Sequence, residues 1–270
     1  MGETAPQPMV VLLGAGKVAT HLAPALLDAG YRIAQIYSRT TEAARTLAEP
    51  LNVPYTDKFN AIDTNAEIYI ACVSDEALPT VARALCSTIN RQQRKANSHP
   101  LFLHTAGSIA MDVWREAGAK RYGILYPLQT FSKERKVNMS EVSLFVEASD
   151  EAALHATELL ALNLSSKVYR ADSALRAQLH IAAVFACNFT NAMYAIAHEL
   201  LERDGIPFEV LLPLIDETAA KVHMLTPKEA QTGPAVRGDH AVMKRHTNAL
   251  ANTPALQELY QQISNLIANS

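Results

Sequence analysis

Short apolar runs alternate with helical patterns through the first half of the sequence. Met9–Leu13 is an apolar run that ends at Gly14, and residues 17–29 then repeat apolar positions with helical spacing. A second predicted strand at Arg32–Tyr37 and a second predicted helix at 41–51 continue the alternation. This order of strands and helices is typical of a parallel sheet that is covered by helices on both faces.

The alternation of predicted strands and helices continues to about residue 171, and only helical patterns follow it. Further strands are predicted at residues 53–55, 68–73, 101–104, 122–126, 144–147 and 167–169, with helices at 75–89 and 151–162. From residue 172 to 204 the chain has a mostly apolar helical pattern without glycine or proline, and helical patterns recur at 208–224, 241–250 and 254–268. We therefore predict an α/β fold, with a Rossmann-type, doubly wound, mostly parallel sheet over residues 1–171 and an all-α domain over 172–270.

The first strand-to-helix turn has a pattern that binds dinucleotides. In Gly14-Ala-Gly16-Lys-Val-Ala19, the first glycine permits a tight turn, the second lets the backbone approach a pyrophosphate, and the small alanine allows close helix packing. Backbone N–H groups at the helix start would then bind the phosphates. The cofactor contacts predicted in this turn are Gly14, Ala15, Gly16, Lys17 and Val18. A purely structural turn is the alternative.

The end of the second strand indicates which dinucleotide is bound. NAD-binding proteins place an acidic residue there for the ribose hydroxyls, whereas this chain has Ser38, Arg39 and Thr40. A guanidinium with neighbouring hydroxyls suits a 2′-phosphate, so we predict NADP(H) as the cofactor. The alternative is that these residues merely begin an exposed helix.

Three more strand ends are candidates for the reacting site, because ligands of doubly wound sheets bind beyond the carboxyl ends of the strands. Val73 and Ser74 follow the fourth strand and are predicted to line the cofactor groove, with helix capping as the alternative role for Ser74. After the fifth strand, His104 and Thr105 are predicted to lie near the nicotinamide, although a strand-end histidine can equally be structural. Gln129, in the loop after the sixth strand, is a predicted substrate contact or part of a packing loop.

The long helix places polar groups at four-residue intervals. Arg176, His180, Val184 and Asn188 would share one slowly drifting face of an α-helix. We predict His180 as a proton donor, because imidazoles titrate near neutral pH, and Asn188 as its hydrogen-bonding partner toward the substrate. A satisfied core histidine is the alternative for His180.

A late loop collects glycines and charges. Residues 232–239 (TGPAVRGD) contain Gly233, Gly238, Arg237 and Asp239. Arg237 is predicted to bind a substrate anion, with Asp239 beside it. An internally salt-bridged connector is the alternative.

Composition excludes several classes of protein. The net charge of −3 gives no general attraction for nucleic acid, and no uninterrupted apolar stretch approaches the length of a membrane span, so neither partner is expected. The three cysteines form no CxxC pair and no metal-ligand spacing stands out, so we expect reduced thiols and no metal. The N-terminal segment shows no signal-peptide pattern, and a cytoplasmic protein is expected.

Taken together, the motifs resemble a known family. GAGKVA, YSRT, HTAGS, YPLQTFS, a His and an Asn eight positions apart, and TGPAVRGD occur here in that order. They resemble proteins assigned as NADP oxidoreductases that join a Rossmann-like domain to a helical domain of unknown function. In plan this family is similar to pyrroline-5-carboxylate reductase, to the 3-hydroxyisobutyrate and 6-phosphogluconate dehydrogenases, and to deazaflavin-linked NADP oxidoreductases. The resemblance implies an NADP-binding N-terminal domain and a helical domain used for substrate binding and homodimer formation.

The chain also departs from these relatives. The hydroxyacid dehydrogenases use a Lys with an Asn four residues later on the long helix, and this helix has no such lysine. The Lys–Asn acid pair is therefore not carried over to this chain.

We predict an oxidoreductase that transfers hydride between the nicotinamide and a carbonyl or imine carbon of a small polar metabolite. A non-catalytic NADP-binding sensor or regulatory module is the alternative.

Overall fold

The computed structural model describes residues 8–91 and 99–269 and confirms an α/β fold followed by a helical region. The first seven residues, for which the sequence predicts no targeting signal, lie outside the described ones. The strands are β1 (Met9–Leu13), β2 (Arg32–Tyr37), β3 (Tyr55–Thr56), β4 (Ile68–Ala71), β5 (Leu101–His104), β6 (Arg121–Leu128), β7 (Ser143–Ala148) and β8 (Val168–Arg170).

Within the described residues these strands form one sheet, in the order β3–β2–β1–β4–β5–β6–β7–β8. Each neighbouring pair is parallel except β6 and β7, which are antiparallel. The first six strands therefore have the Rossmann order, and the strand order reverses between β1 and β4. Ligands of such sheets bind at that reversal, outside the carboxyl ends of the strands.

Helices cover both faces of the sheet because both faces are apolar. In β1, Val10 and Leu12 belong to one buried cluster, and Val11 and Leu13 belong to the other, as the two-residue period of a strand requires. The helices of this part are α1 (Lys17–Asp28), α2 (Thr41–Ala48), α3 (Leu78–Arg91), α4 (Asp112–Glu116) and α5 (Glu151–Leu164). The sequence did not predict α4, since five residues are too few to show a helical period.

The predicted long helix is present, but it is not an α-helix throughout. It consists of α6 (Ser173–Ala183), a π-helical segment at Val184–Phe189, and α7 (Thr190–Glu202). The expectation of an unbroken four-residue repeat is therefore wrong across the π segment, because a π-helix closes its hydrogen bonds over five residues.

The chain divides into two compact units, one up to Asn191 and one from Ala192. The division falls within the long helix, and Arg176 of α6 forms an ion pair with Glu147 of β7 at 2.6 Å within the first unit. The predicted domain boundary stays a prediction.

The second unit is built from helices. After α7 come α8 (Leu212–Lys221), α9 (Pro227–Ala230), α10 (His240–Ala249) and α11 (Pro254–Ala268). The predicted helix at 208–224 begins as a 3₁₀ turn at Phe208–Leu211, and regular α-helix starts at Leu212, with Pro213 tolerated in its first turn.

Apolar surface is prominent on the second unit. Ala235 is the one buried residue among its described positions 192–269. One helix, Ser173–Glu202, is long and apolar enough to cross a membrane by length and composition, with a mean hydropathy of 1.3 in its most apolar window. A helix that packs against another protein has the same composition, so the expectation of no membrane stays a prediction.

Candidate functional site

The turn after β1 is shaped for close backbone approach. Gly14 has φ +112°, and a Cβ there would lie 2.3 Å from the carbonyl oxygen of Cys72. A Cβ on Gly16 would meet its nearest atom only at 4.0 Å, so the space above this residue is open. No side chain caps α1 at Gly16, and its first-turn N–H groups are therefore free to bind an anion. The residues present fit the pyrophosphate of a dinucleotide.

A cleft of about 280 Å³ lies over this turn. Most of the predicted cofactor contacts line it, namely Gly14, Ala15, Gly16, Ser38, Arg39, Thr40, Val73 and Ser74. Lys17 and Val18 are in the first turn of α1 and do not line it. Thr105 is buried, and its hydroxyl donates to the carbonyl of Ala71 at 3.5 Å.

The end of β2 presents a free guanidinium. Arg39 is exposed and forms no ion pair within residues 8–91 and 99–269. It lines both the first cleft and a second one of about 400 Å³, which also includes Phe59 and Thr80. Thr40 caps α2 by accepting from the N–H of Ala43 at 3.4 Å, so its hydroxyl has a structural role as well. Arg39 is thus an exposed guanidinium that lines both clefts, and its role toward a 2′-phosphate stays a prediction.

A polar pair lies past the end of β5 and close to the end of β6. The hydroxyl of Tyr126, in β6, is 3.2 Å from Nδ1 of His180, in α6. Gly107, in the loop after β5, packs against both, because a Cβ there would lie 2.6 Å from the Tyr126 ring and 2.9 Å from that nitrogen. The predicted residue His180 therefore meets the carboxyl edge of the sheet, where the reacting end of a dinucleotide belongs.

Buried charges hold this arrangement together. Arg176 is 1% exposed, and it donates to Glu147 at 2.6 Å and to the carbonyl of Ile109 at 2.8 Å. It thereby fixes α6 to β7 and to the loop that carries Gly107. The sequence predicted that Arg176 shares one helix face with His180, and the structure buries Arg176 inside the protein.

His104 is placed differently from the expectation of a nicotinamide contact. Its side chain is fully buried, and its Nδ1 accepts from the N–H of Ala106 at 3.2 Å. Burial above all, and then the positive charge of Arg176, lower the pKa of His104 to about 3, against a smaller raising effect of the Ala110 backbone. His104 stays neutral at working pH and is out of reach of a ligand, so its position is that of a structural residue.

The remaining predicted residues are not brought into this group by any described contact. Asn188 is exposed in the π-helical segment. Gln129 is exposed, and its Oε1 accepts from the N–H of Thr130 at 2.7 Å. In the second unit Arg237 is exposed, and Asp239 caps α10 by accepting from the N–H of Val242 at 3.1 Å. Their substrate roles stay predictions.

Sequence reasoning did not select Tyr126, Asp75 and Ser108. Ser108 donates a hydrogen bond to Asp75, which joins the loops after β4 and β5. Burial raises the pKa of Tyr126, and the positive charge of Arg176 lowers it. The nearby Asp75 and Cys187 raise the same pKa further. Their position was the available signal, since Asp75 and Ser108 follow strands and Tyr126 lies near the end of β6, all at the same sheet edge.

Comparison with known proteins gives the family. A Bacteroides fragilis protein assigned as an NADP oxidoreductase is 46% identical, with 98% of this chain and 99% of that chain covered and a TM-score of 0.90. The chain belongs to this NADP oxidoreductase family. Residues 9–95 match the family described as NADP oxidoreductase coenzyme F420-dependent, and residues 142–267 match a domain of unknown function (DUF2520). This confirms the resemblance that the motifs indicated.

More distant solved structures share the fold of this oxidoreductase. A pyrroline-5-carboxylate reductase from Coxiella burnetii is 16% identical over 97% of this chain and 96% of that one, with a TM-score of 0.58. An imine reductase from Myxococcus stipitatus in complex with NADP⁺ is 15% identical over 97% and 92%, with a TM-score of 0.64. A comparison with curated proteins gave no match.

Proposed function

We propose that this oxidoreductase uses NADP(H) to interconvert a carbonyl or imine carbon and its reduced form in a small polar metabolite, with His180 as the proton donor. The observation that carries the proposal is that the dinucleotide cleft and the Tyr126–His180 pair lie along the carboxyl edge of one sheet. The bound cofactor would supply a hydride from its nicotinamide ring. A carbonyl carbon that accepts a hydride leaves negative charge on oxygen, and a proton from His180 neutralises it.

The family supports an enzyme over the alternative of a non-catalytic NADP-binding sensor, because the 46% identical relative is assigned as an oxidoreductase. The test is an assay of nicotinamide absorbance with NADPH and a panel of small aldehydes, ketones and cyclic imines. Turnover of at least one class supports the proposal. NADPH binding without turnover of any class favours the sensor.

The preference for NADP(H) is assigned to Arg39. Arg39→Asp is expected to weaken NADPH binding about 10- to 100-fold, because a hydrogen bond to a charged group contributes ~1.5–3 kcal/mol. NADH, which lacks the 2′-phosphate, should lose little. Fluorescence titration of both nucleotides measures the two dissociation constants.

Arg45→Asp is the matched control for this titration. Arg45 is exposed on α2 and lines neither cleft, but it undergoes the same change of charge. The assignment of Arg39 is wrong if both variants weaken NADPH equally, since a general electrostatic effect would then explain the loss.

We also propose that the protein is a homodimer through its helical region. Large apolar side chains are exposed there, including Phe185, Leu214, Met224 and Leu266. The second unit buries almost nothing by itself, and in it α7, α10 and α11 line an apolar groove of about 360 Å³. A second copy presents the same apolar surface and can cover it through a symmetric interface.

Light scattering at micromolar concentration should therefore give about twice the chain mass of 29.4 kDa. Leu214→Glu, in α8, is expected to shift the protein toward the monomer, because it places a charge in the proposed interface. Leu162→Glu, in α5, is the control, since the two leucines are 63% and 60% exposed. A wild-type protein of single-chain mass would contradict the dimer.

For the cellular setting, we propose a reducing compartment such as the cytoplasm and no nucleic-acid or membrane partner. The three cysteines Cys72, Cys86 and Cys187 are free thiols, which is consistent with a reducing environment. Fractionation of cell extracts would detect a peripheral association of the protein with membranes.

A further inference from the structure

Three separate elements meet at one hydrogen bond. Tyr126 comes from β6, His180 comes from α6, and Gly107 comes from the loop after β5. The Tyr126 hydroxyl lies 3.2 Å from His180 Nδ1, and the two rings meet edge to face with centroids 6.2 Å apart. Within the described part of the chain, the hydrogen bond of the partly exposed His180 side chain is made by Nδ1, and none involves Nε2. One nitrogen of the imidazole is therefore held, and the other is available.

Gly107 is the residue that permits this contact. Its backbone lies so close that a Cβ would approach two carbons of the Tyr126 ring to 2.6 and 2.8 Å, and His180 Nδ1 to 2.9 Å. Such contacts are too short for real side chains, so any larger residue would move the tyrosine, the histidine or both. The absence of a side chain here thus serves the pair and not a turn, since Gly107 is not among the glycines with positive φ.

Charged and titratable groups from several elements lie near the Tyr126–His180 pair. Arg176 is next to it in α6, but its charge is compensated by Glu147 of β7 at 2.6 Å. Asp75, in the loop after β4, and Cys187, in the π-helical segment, also act on the Tyr126 hydroxyl, and Asp75 is hydrogen-bonded to Ser108. Burial raises the pKa of Tyr126, so this hydroxyl keeps its proton at neutral pH and can donate it in a hydrogen bond.

We propose that Tyr126 is the positioning residue of His180: its hydroxyl donates to Nδ1, so that neutral His180 carries its proton on Nε2, the nitrogen that faces the substrate. A hydrogen bond to one ring nitrogen decides which tautomer an imidazole adopts and how the ring is turned. When the imidazole is cationic, Nδ1–H donates to the same tyrosine oxygen, so the ring keeps its orientation. Loss of the Nε2 proton to the substrate leaves neutral His180 with its proton on Nδ1, and proton exchange with solvent then restores the Nε2–H tautomer that the tyrosine favours. The role of the Nε2 proton in catalysis rests on the proposed function. The tautomer of His180 does not depend on it.

The tautomer can be measured without cofactor or substrate. In ¹⁵N-histidine-labelled protein at a pH where His180 is neutral, the two ring nitrogens are distinguished by their chemical shifts, and His180→Gln identifies the signals by their loss. The wild type is expected to show His180 with its proton on Nε2. Tyr126→Phe, which keeps the ring and removes the hydroxyl, is expected to give a mixture of tautomers. Tyr122→Phe, a buried tyrosine of the same strand, is the control and should leave the wild-type pattern.

Kinetics with an active substrate give a second readout. Tyr126→Phe should lower kcat roughly 10-fold and leave KM nearly unchanged, since the hydroxyl orients the acid and does not bind the substrate. Gly107→Ala should reproduce the tautomer mixture if it folds, because its methyl group separates the pair, and thermal unfolding checks the fold of each variant.

The inference is overturned if Tyr126→Phe keeps a single Nε2–H tautomer, or if the wild type carries its proton on Nδ1. Those outcomes leave the proposed function intact, because His180 could still act as an acid without the tyrosine. Conversely, if His180→Gln keeps full turnover while the tautomer depends on Tyr126, the proton-donor role fails and the positioning contact stands.

Discussion

Replacing Gly14 with alanine is expected to weaken NADPH binding at least 100-fold and to lower the melting temperature. The added Cβ would lie 2.3 Å from the carbonyl oxygen of Cys72 and 2.8 Å from its carbonyl carbon, and neither backbone atom can move away cheaply. The φ of +112° adds strain for any residue with a side chain. The turn must therefore shift, and the first-turn N–H groups of α1 would no longer point toward the bound pyrophosphate. Calorimetric titration with NADPH and a thermal melt measure both effects.

Gly30→Ala is the control that separates the effect of backbone strain at positive φ from the effect of a steric clash of the added Cβ. Gly30 also has a positive φ, +84°, but nothing lies within 4 Å of a Cβ built there. It should lose roughly 1–2 kcal/mol of folding free energy and keep normal NADPH binding. If Gly14→Ala binds NADPH as the wild type does, the turn after β1 is not the pyrophosphate site.

Replacing His180 with glutamine is expected to lower kcat by a factor of about 10²–10⁴, the usual contribution of a positioned general acid. Glutamine is polar and of similar length but does not titrate, so the proton donor is lost. NADPH affinity should be unchanged, because His180, in α6, does not line the dinucleotide cleft. Steady-state kinetics together with a titration measure the two quantities.

His155→Gln, on the exposed side of α5, is the matched histidine control and should have wild-type kinetics. Full turnover by His180→Gln would exclude His180 as the acid and direct attention to Tyr126 itself. A parallel loss in both variants would point to a general effect of removing a histidine.

Local sequence signals were sufficient for the fold. Apolar runs and glycine stops placed each long strand within a few residues, and the alternation of strands and helices gave the parallel sheet and the side of it that binds ligands. The motif at Gly14 and the residues at Arg39 line one cleft, and neighbours in the sequence were enough to group them. That this cleft binds the cofactor stays a prediction.

The reacting end was less predictable because it depends on contacts between distant segments. Whether His104 faces a ligand or the core is decided by packing that its own strand does not reveal. Arg176 is turned inward by Glu147, which lies 29 positions earlier in the chain. The π-helical segment before Asn188 has no sequence signature that periodicity can detect, and it invalidates the four-residue spacing. Tyr126 was the last residue of the strand predicted at 122–126, but its contact with His180 joins residues 54 positions apart and has no local signal.

We propose that the cleft over Gly14 and Arg39 binds the NADP(H) that this oxidoreductase uses. The most direct test is a titration of the wild-type protein with NADPH and with NADH at one ionic strength, in which nicotinamide fluorescence reports binding. We predict saturable binding of both, with NADPH at least about 10-fold tighter, as one charge-assisted contact to the 2′-phosphate requires. Equal affinities, tighter binding of NADH, or no binding of either nucleotide would contradict the claim.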